Sequence, residues 1–97
     1  MEEKKMIYAI THRGFEFDDL DYPDLMPIRF YSAKEKRDNA FKELVSEKLA
    51  WFEKCKNSEY TRTEDYEIGE NTNDDFLELA MGKWCYEWGK AEFELEE

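Results

Sequence analysis

The feature that most constrains this chain is the series Phe41, Leu44, Val45, Leu49 and Phe52, flanked by Ala40 and Cys55. Apolar residues recurring at spacings of three and four form one stripe on a helix, and that stripe needs an apolar surface to cover. Just upstream, Ser32-Ala33-Lys34-Glu35 matches the Ser-x-x-Glu capping box, in which the serine and glutamate side chains each satisfy an orphan backbone donor. The spacing predicts a helix over about 33–56, ended by Asn57-Ser58.

The surface under that helix is predicted to be a sheet. MIYAIT (6–11) is rich in β-formers without a helical stripe, and PIRFYS (27–32) is a second β-like run. Strands near 6–12 and 27–32 then form an opening hairpin across HRGFEFDDLDYPDLMP, a loop longer than a hairpin needs. Beyond the helix, EYTRTEDYEIGENTN (59–73) reads as a loop with one short strand near 66–69. Thr72 or Asn73 can cap a second helix over about 74–88, with Leu77, Ala80, Met81, Trp84 and Trp88 as its stripe and Gly89 as its terminator. A competing reading stops that helix at Gly82 and pairs 83–88 with 91–96 around a Gly89-Lys90 turn. Under both, AEFELEE is a strand near 91–96, with Phe93 and Leu95 alternating with Glu92, Glu94 and Glu96. The fold expected is α+β: one domain over 1–97, a small and mainly antiparallel sheet, the long helix, and a second helix or a shorter helix plus hairpin.

Composition narrows the function more than the fold. The hydrophobic fraction of 41% with 16% aromatics suffices for a packed interior, which argues against disorder of the whole chain. A net charge of -11 disfavours nucleic acid and anionic lipid as direct partners and favours basic ones. Residues 57–97 hold thirteen acidic and three basic groups, so the acidity is concentrated late in the chain. No signal-peptide pattern opens the sequence and no window approaches the ~20 apolar residues of a bilayer span, so a cytoplasmic protein is expected. Cys55 and Cys85 fall on apolar faces and read as free, buried thiols.

Most catalytic chemistry finds no footing here. His12 is the one histidine, which removes imidazole pairs and two-histidine zinc sites. Asp18, Asp19, Asp21 and Asp24 resemble a cation loop in composition only, without the glycine and terminal glutamate of the EF-hand pattern. Four glycines, at 14, 69, 82 and 89, provide no phosphate-cradling motif. The basic residues of the long helix are interleaved with Glu35, Asp38, Glu43, Glu47 and Glu53, a pattern of a salt-bridged solvent face. No enzyme activity, cofactor or metal is expected.

What remains is the acidic row. On a strand, alternate side chains of one face lie ~7 Å apart, so Glu92, Glu94 and Glu96 would form a regular line of negative charge. Reinforced by Asp74, Asp75 and Glu78, with Trp84 and Trp88 as apolar anchors, such a line suits the Lys/Arg groove of a nucleic-acid-binding protein. Charged side chains on an edge strand also discourage aggregation, which is the plainer role for the same residues.

The order strand, acidic loop, strand and then YSAKEKRDNAF (31–41) at a helix start resembles small uncharacterised α+β proteins of bacteriophages and their hosts. The resemblance covers roughly residues 6–50 and implies a phage-type domain without enzymatic activity, located in the host cytoplasm. The expected function is therefore that of an acidic protein-binding module. It would inhibit or modulate a basic host protein, such as a defence nuclease or transcription factor, with DNA mimicry as one route. The alternatives are a small metal- or ligand-binding protein using the 12–24 loop, or a structural or assembly subunit.

Overall fold

In the computed structural model, which describes residues 5–16, 23–57 and 66–95, the elements run β1 (Met6–Glu16), β2 (Met26–Tyr31), α1 (Lys34–Lys56), β3 (Tyr66–Ile68), β4 (Phe76–Met81) and β5 (Trp84–Glu94). The strands form one open five-stranded antiparallel sheet in the order β2-β1-β5-β4-β3. Its centre is the pairing of β1 with β5, unbroken from Met6 opposite Glu94 to Glu16 opposite Trp84. The α+β class, the helix and the strands near 6–12, 27–32 and 66–69 agree with the sequence.

β2 and β3 lie on opposite edges of the sheet, so the connection through α1 must cross four inter-strand spacings, ~19 Å at ~4.8 Å each. Twenty-three helical residues at ~1.5 Å rise reach ~34 Å, enough to cross obliquely and cover one face. Phe41, Leu44 and Phe52 are buried there against Ile10, Leu77, Leu79, Met81 and Trp88, with Ala40, Val45, Leu49 and Cys55 packed around them. Five side chains, Phe41, Phe52, Ile10, Leu77 and Leu79, are almost wholly removed from water. Each contributes about 2 kcal/mol of apolar burial, so this layer is the main source of cohesion.

Three expectations are corrected. The second helix over 74–88 does not form, nor does the Gly89-Lys90 turn: those residues belong to β4 and to a continuous β5. Leu77, Leu79 and Met81 are buried at a period of two, because β4 lies beside β5 and shows one face to α1. The reversal falls instead at Gly82-Lys83, closed by Met81 opposite Trp84. Gly82 has φ +66, and a positive φ at the first of two turn residues is the type II′ hairpin pattern, which favours glycine there. Gly89 is a mid-strand residue whose missing side chain admits Phe76 and Thr11; a Cβ there would come 3.0 Å from the Phe76 ring.

Second, β1 continues past His12 through Arg13, Gly14, Phe15 and Glu16, because β5 offers partners along that whole length. Third, the capping box is not made. Ala33 occupies the N-cap position without a side-chain cap, and the Arg37 N–H donates to the Ala33 carbonyl at 3.2 Å. β2 carries a bulge: Ile10 faces Arg29 and Thr11 faces Pro27, which leaves Ile28 as the extra residue.

Arg37, expected on the solvated side of α1, is 2% exposed. Its Nε donates to Asp38 Oδ1 at 2.8 Å, Nη1 to the Ala91 carbonyl at 2.9 Å and Nη2 to Glu92 Oε1 at 3.2 Å, while Cζ lies 5.3 Å from the Tyr8 ring centroid. One guanidinium thus fastens the first turns of α1 to the far half of β5. Removing one partner of a buried pair costs about 3–5 kcal/mol when the other charge stays buried. Asp38 and Glu92 are 31% and 45% exposed and can rehydrate, so Arg37→Met is expected to destabilise by about 2 kcal/mol. The shift of the urea unfolding midpoint checks this, and an unchanged midpoint would show that Arg37 is not a fastening.

Candidate functional site

The sheet alternation distributes the acidic residues in a way the sequence row did not anticipate. Along β5, Tyr86, Trp88, Lys90 and Glu92 look toward α1, whereas Cys85, Glu87, Gly89 and Ala91 belong to the opposite face. Glu92 bonds to Arg37, so it is tied to the helix. Glu94 continues the same side of β5 and is exposed. Glu96 lies outside the described residues.

The β3–β4 turn brings further carboxylates to the same end of the sheet. Thr72 N–H donates to the Gly69 carbonyl, and the Asn73 and Phe76 backbones bond each other. Asn73 Oδ1 accepts the Asp75 N–H at 2.7 Å, a local bond that shapes the turn. The Lys90 N–H then donates to the Asp75 carbonyl at 3.0 Å, placing Asp74 and Asp75 beside the stretch of β5 that leads to Glu92 and Glu94. Lys90 Nζ lies between Asp75 Oδ1 at 3.1 Å and Asp38 Oδ1 at 3.4 Å. Arg37 above all, with Lys90, holds the Asp38 carboxyl below its ordinary pKa. A pocket of about 310 Å³ lined by Lys34, Arg37, Asp38, Asp75, Lys90 and Glu92 sits here, with three charges of each sign.

The remaining expected site residues lie elsewhere. Glu78 is on the face away from α1, folded over Gly69, where an added Cβ would overlap its side chain; its backbone is bracketed by Thr72 Oγ1. Trp84, 44% exposed, stands at the Gly82 turn, at the opposite end of β4 from Asp74 and Asp75. Six strand residues separate those ends, ~20 Å. Trp88, 4% exposed, is a core residue. Of the aspartate loop, Asp18, Asp19 and Asp21 lie outside the described residues, and Asp24 is exposed.

On the face away from α1, Arg13 and Glu87 form a bidentate pair, Nε to Oε2 at 2.8 Å and Nη2 to Oε1 at 3.0 Å. Glu87 is 4% exposed, and both of its oxygens are engaged. One potential ligand atom each from Glu78, Cys85 and Glu87 falls within 4.8 Å of the others, which is the reach of a metal ligand set. The chemistry opposes that use. Burial first, then the charges of Glu87 and Glu78, pushes the Cys85 thiol up to about 11, and a cation would have to displace the Arg13 guanidinium from Glu87. With Cys85 buried and Cys55 half-buried, native labelling by a chromogenic disulfide near pH ~8 is expected to modify Cys55 rapidly and Cys85 only on unfolding. Rapid labelling of both thiols in the native state would contradict this placement.

Sequence reasoning also missed an aromatic ladder under α1. His12 stacks on Trp88 at 4.9 Å and 21°, and Trp88 continues to Tyr86 and Trp84 at centroid spacings of 6.2 and 6.4 Å. The alternation of Trp84, Tyr86 and Trp88 was the available signal; the helical stripe obscured it. The Glu87 carbonyl lies 3.1 Å from His12 Nδ1, and since a carbonyl only accepts, Nδ1 carries the proton. Burial lowers the His12 pKa; the Glu87 bond opposes this and Lys48 adds to it. The folded state therefore favours neutral His12. Its contribution to stability is present above the unfolded pKa near 6.5 and is lost as pH falls from there toward the folded value. The melting-temperature advantage of wild type over His12→Gln is expected to shrink between about pH 7.5 and about pH 5.5, and a constant difference would contradict the assignment.

Among the described residues, no helix is long and apolar enough to cross a membrane. Comparison with protein-family models, with curated proteins and with solved structures returns no match.

Proposed function

We propose that this chain is a non-catalytic binding module for a basic protein, acting through the acidic end of its sheet. The observation that carries the reading is local. Residues 66–82 contain Glu67, Glu70, Asp74, Asp75 and Glu78 without a lysine or arginine, and their turn lies beside the end of β5 that bears Glu92 and Glu94. Glu67, Glu70 and Asp74 are exposed and in no ion pair among the described residues. Asp75 remains 75% exposed even while it contacts Lys90.

Such a surface attracts cations over several ångströms and meets Lys/Arg-rich surfaces as phosphates do. The phage-type resemblance of YSAKEKRDNAF directs the reading to a nucleic-acid-binding host protein, a nuclease or transcription factor, with inhibition by competition as the consequence. Arg37 and Lys90 hold Glu92 and Asp75 from the scaffold side, which limits the entropy lost when a partner engages them.

The same carboxylates protect the β3 edge against pairing, and the two roles separate experimentally. In the triple variant Glu70→Gln, Asp74→Asn and Glu94→Gln, the melting temperature is expected to stay within a few degrees of wild type, since exposed charges contribute roughly 0–1 kcal/mol each. Salt-sensitive capture of a nucleic-acid-binding protein from bacterial lysate, and competition with that protein's nucleic acid, are expected to be lost. Undiminished capture and competition by the variant would overturn the reading.

A further inference from the structure

A second concavity, of about 310 Å³, lies between α1 and the middle of β5. Tyr86 and Trp88 project into it from alternate positions of the strand, their rings 6.2 Å apart and inclined by 20°. Trp51, on α1, meets Tyr86 at 5.5 Å and 78°, so the helix supplies a wall roughly perpendicular to that floor. Glu47 lies one helical turn before Trp51 and lines the same pocket. Trp51 is 37% exposed, and Glu47 is exposed with no hydrogen bond or ion pair among the described residues.

We propose that this pocket takes a guanidinium side chain from a basic partner, stacked on Tyr86, flanked by Trp51 and hydrogen-bonded to Glu47. The site is distinct from the acidic end of the sheet and stands on its own geometry; the setting of a basic protein partner rests on the reading above. Three features select the ligand. Ring faces carry negative quadrupole density and attract cations, and the inner ring already holds one: Lys48 Nζ lies 5.5 Å from the Trp88 centroid. Lys48 also lines the pocket but is turned onto Trp88, so the carboxylate of Glu47, in a chain of net charge -11, is the charge left for a ligand and favours a cation. Between the two cationic side chains, the planar guanidinium stacks on an aromatic face and gives two N–H bonds to one carboxylate, while an ammonium is more strongly hydrated and does neither. The volume is near the low end of small-ligand sites, roughly 300–1,000 Å³, and suits one side chain.

The test is a titration of the full chain with Nα-acetyl-arginine amide in about 150 mM salt, where non-specific attraction to the acidic surface is screened. Tryptophan fluorescence and calorimetry are the readouts. One saturable site with Kd on the order of 1–10 mM is expected, as befits a single side chain. The neutral isostere Nα-acetyl-citrulline amide is expected to bind at least about tenfold more weakly, and Trp51→Leu and Glu47→Gln each about five- to tenfold more weakly, with unchanged far-UV circular dichroism. Lys48→Met, which removes the resident cation, is expected to leave binding unchanged or tighten it. Absence of saturation, equal binding of citrulline, or retention of affinity by Trp51→Leu would each overturn the proposal. The triple variant of the acidic end is expected to bind the arginine probe as wild type does. Loss of lysate capture with intact arginine binding, or the reverse, therefore assigns failure to one site or the other.

Discussion

The structure depends on the eleven-residue register between β1 and β5. These strands come from opposite ends of the described chain, so their pairing closes a loop of nearly the whole sequence, at the entropic cost of a long loop. Each partner then templates the strand outside it: β1 receives β2, β5 receives β4, and β4 receives β3. A one-residue slip of β1 against β5 would turn Ile10 away from α1 and carry Arg13 into the apolar layer, parted from Glu87. The two faces thus fix the register from both sides: one must meet the helix, and the other must keep a buried carboxylate opposite its guanidinium.

The helix adds a second constraint of a different kind. Apolar burial at Phe41, Leu44 and Phe52 holds α1 on the sheet but is indifferent to small rotations. The directional bonds of Arg37 to the Ala91 carbonyl and Glu92 set where the first turns of the helix sit. Lys90, between Asp38 and Asp75, extends the same fastening to the β3–β4 turn. In this way the polar side chains at the acidic end of the sheet are part of the scaffold and of its surface at once.

What the sequence made legible follows from how local each signal was. The α1 stripe and the β-formers of 6–12 and 27–32 are decided within a few residues of each other, and they formed. β4 and β5 were obscured because Leu77, Met81, Trp84 and Trp88 satisfy a helical spacing while Leu77, Leu79 and Met81 satisfy a strand spacing; β4 and β5 pair with each other as a hairpin, and β1, more than sixty residues away, flanks β5 on its other side. Gly82 and Gly89 looked interchangeable as breakers, yet one needs a positive φ and the other only room beside Phe76. The acidity of Asp74, Asp75, Glu92 and Glu94 was legible from composition and from the alternation of 91–96, but the tether from Arg37 to Glu92 was not. Arg37 lies four residues before Phe41, on the line of the apolar stripe, but its charge reads as belonging to the solvated side.

The disposition of the cations completes the electrostatic argument. Arg13, Arg37, Lys48, Lys56 and Lys90 each place a charged group over an aromatic ring, at 5.2–6.0 Å from its centroid, on Phe15, Tyr8, Trp88, Phe52 and Phe41 respectively. Their stems lie along apolar surface, and the ring faces, which repel carboxylates, take the cations. Among the described residues, Glu67, Glu70 and Asp74 are left exposed and without a paired cation, and these are the charges a partner would meet first under the proposed function. Under the proposed function, a basic partner would meet carboxylates first and aromatic faces second. That is the order in which long-range steering can be followed by a short-range contact that fixes register.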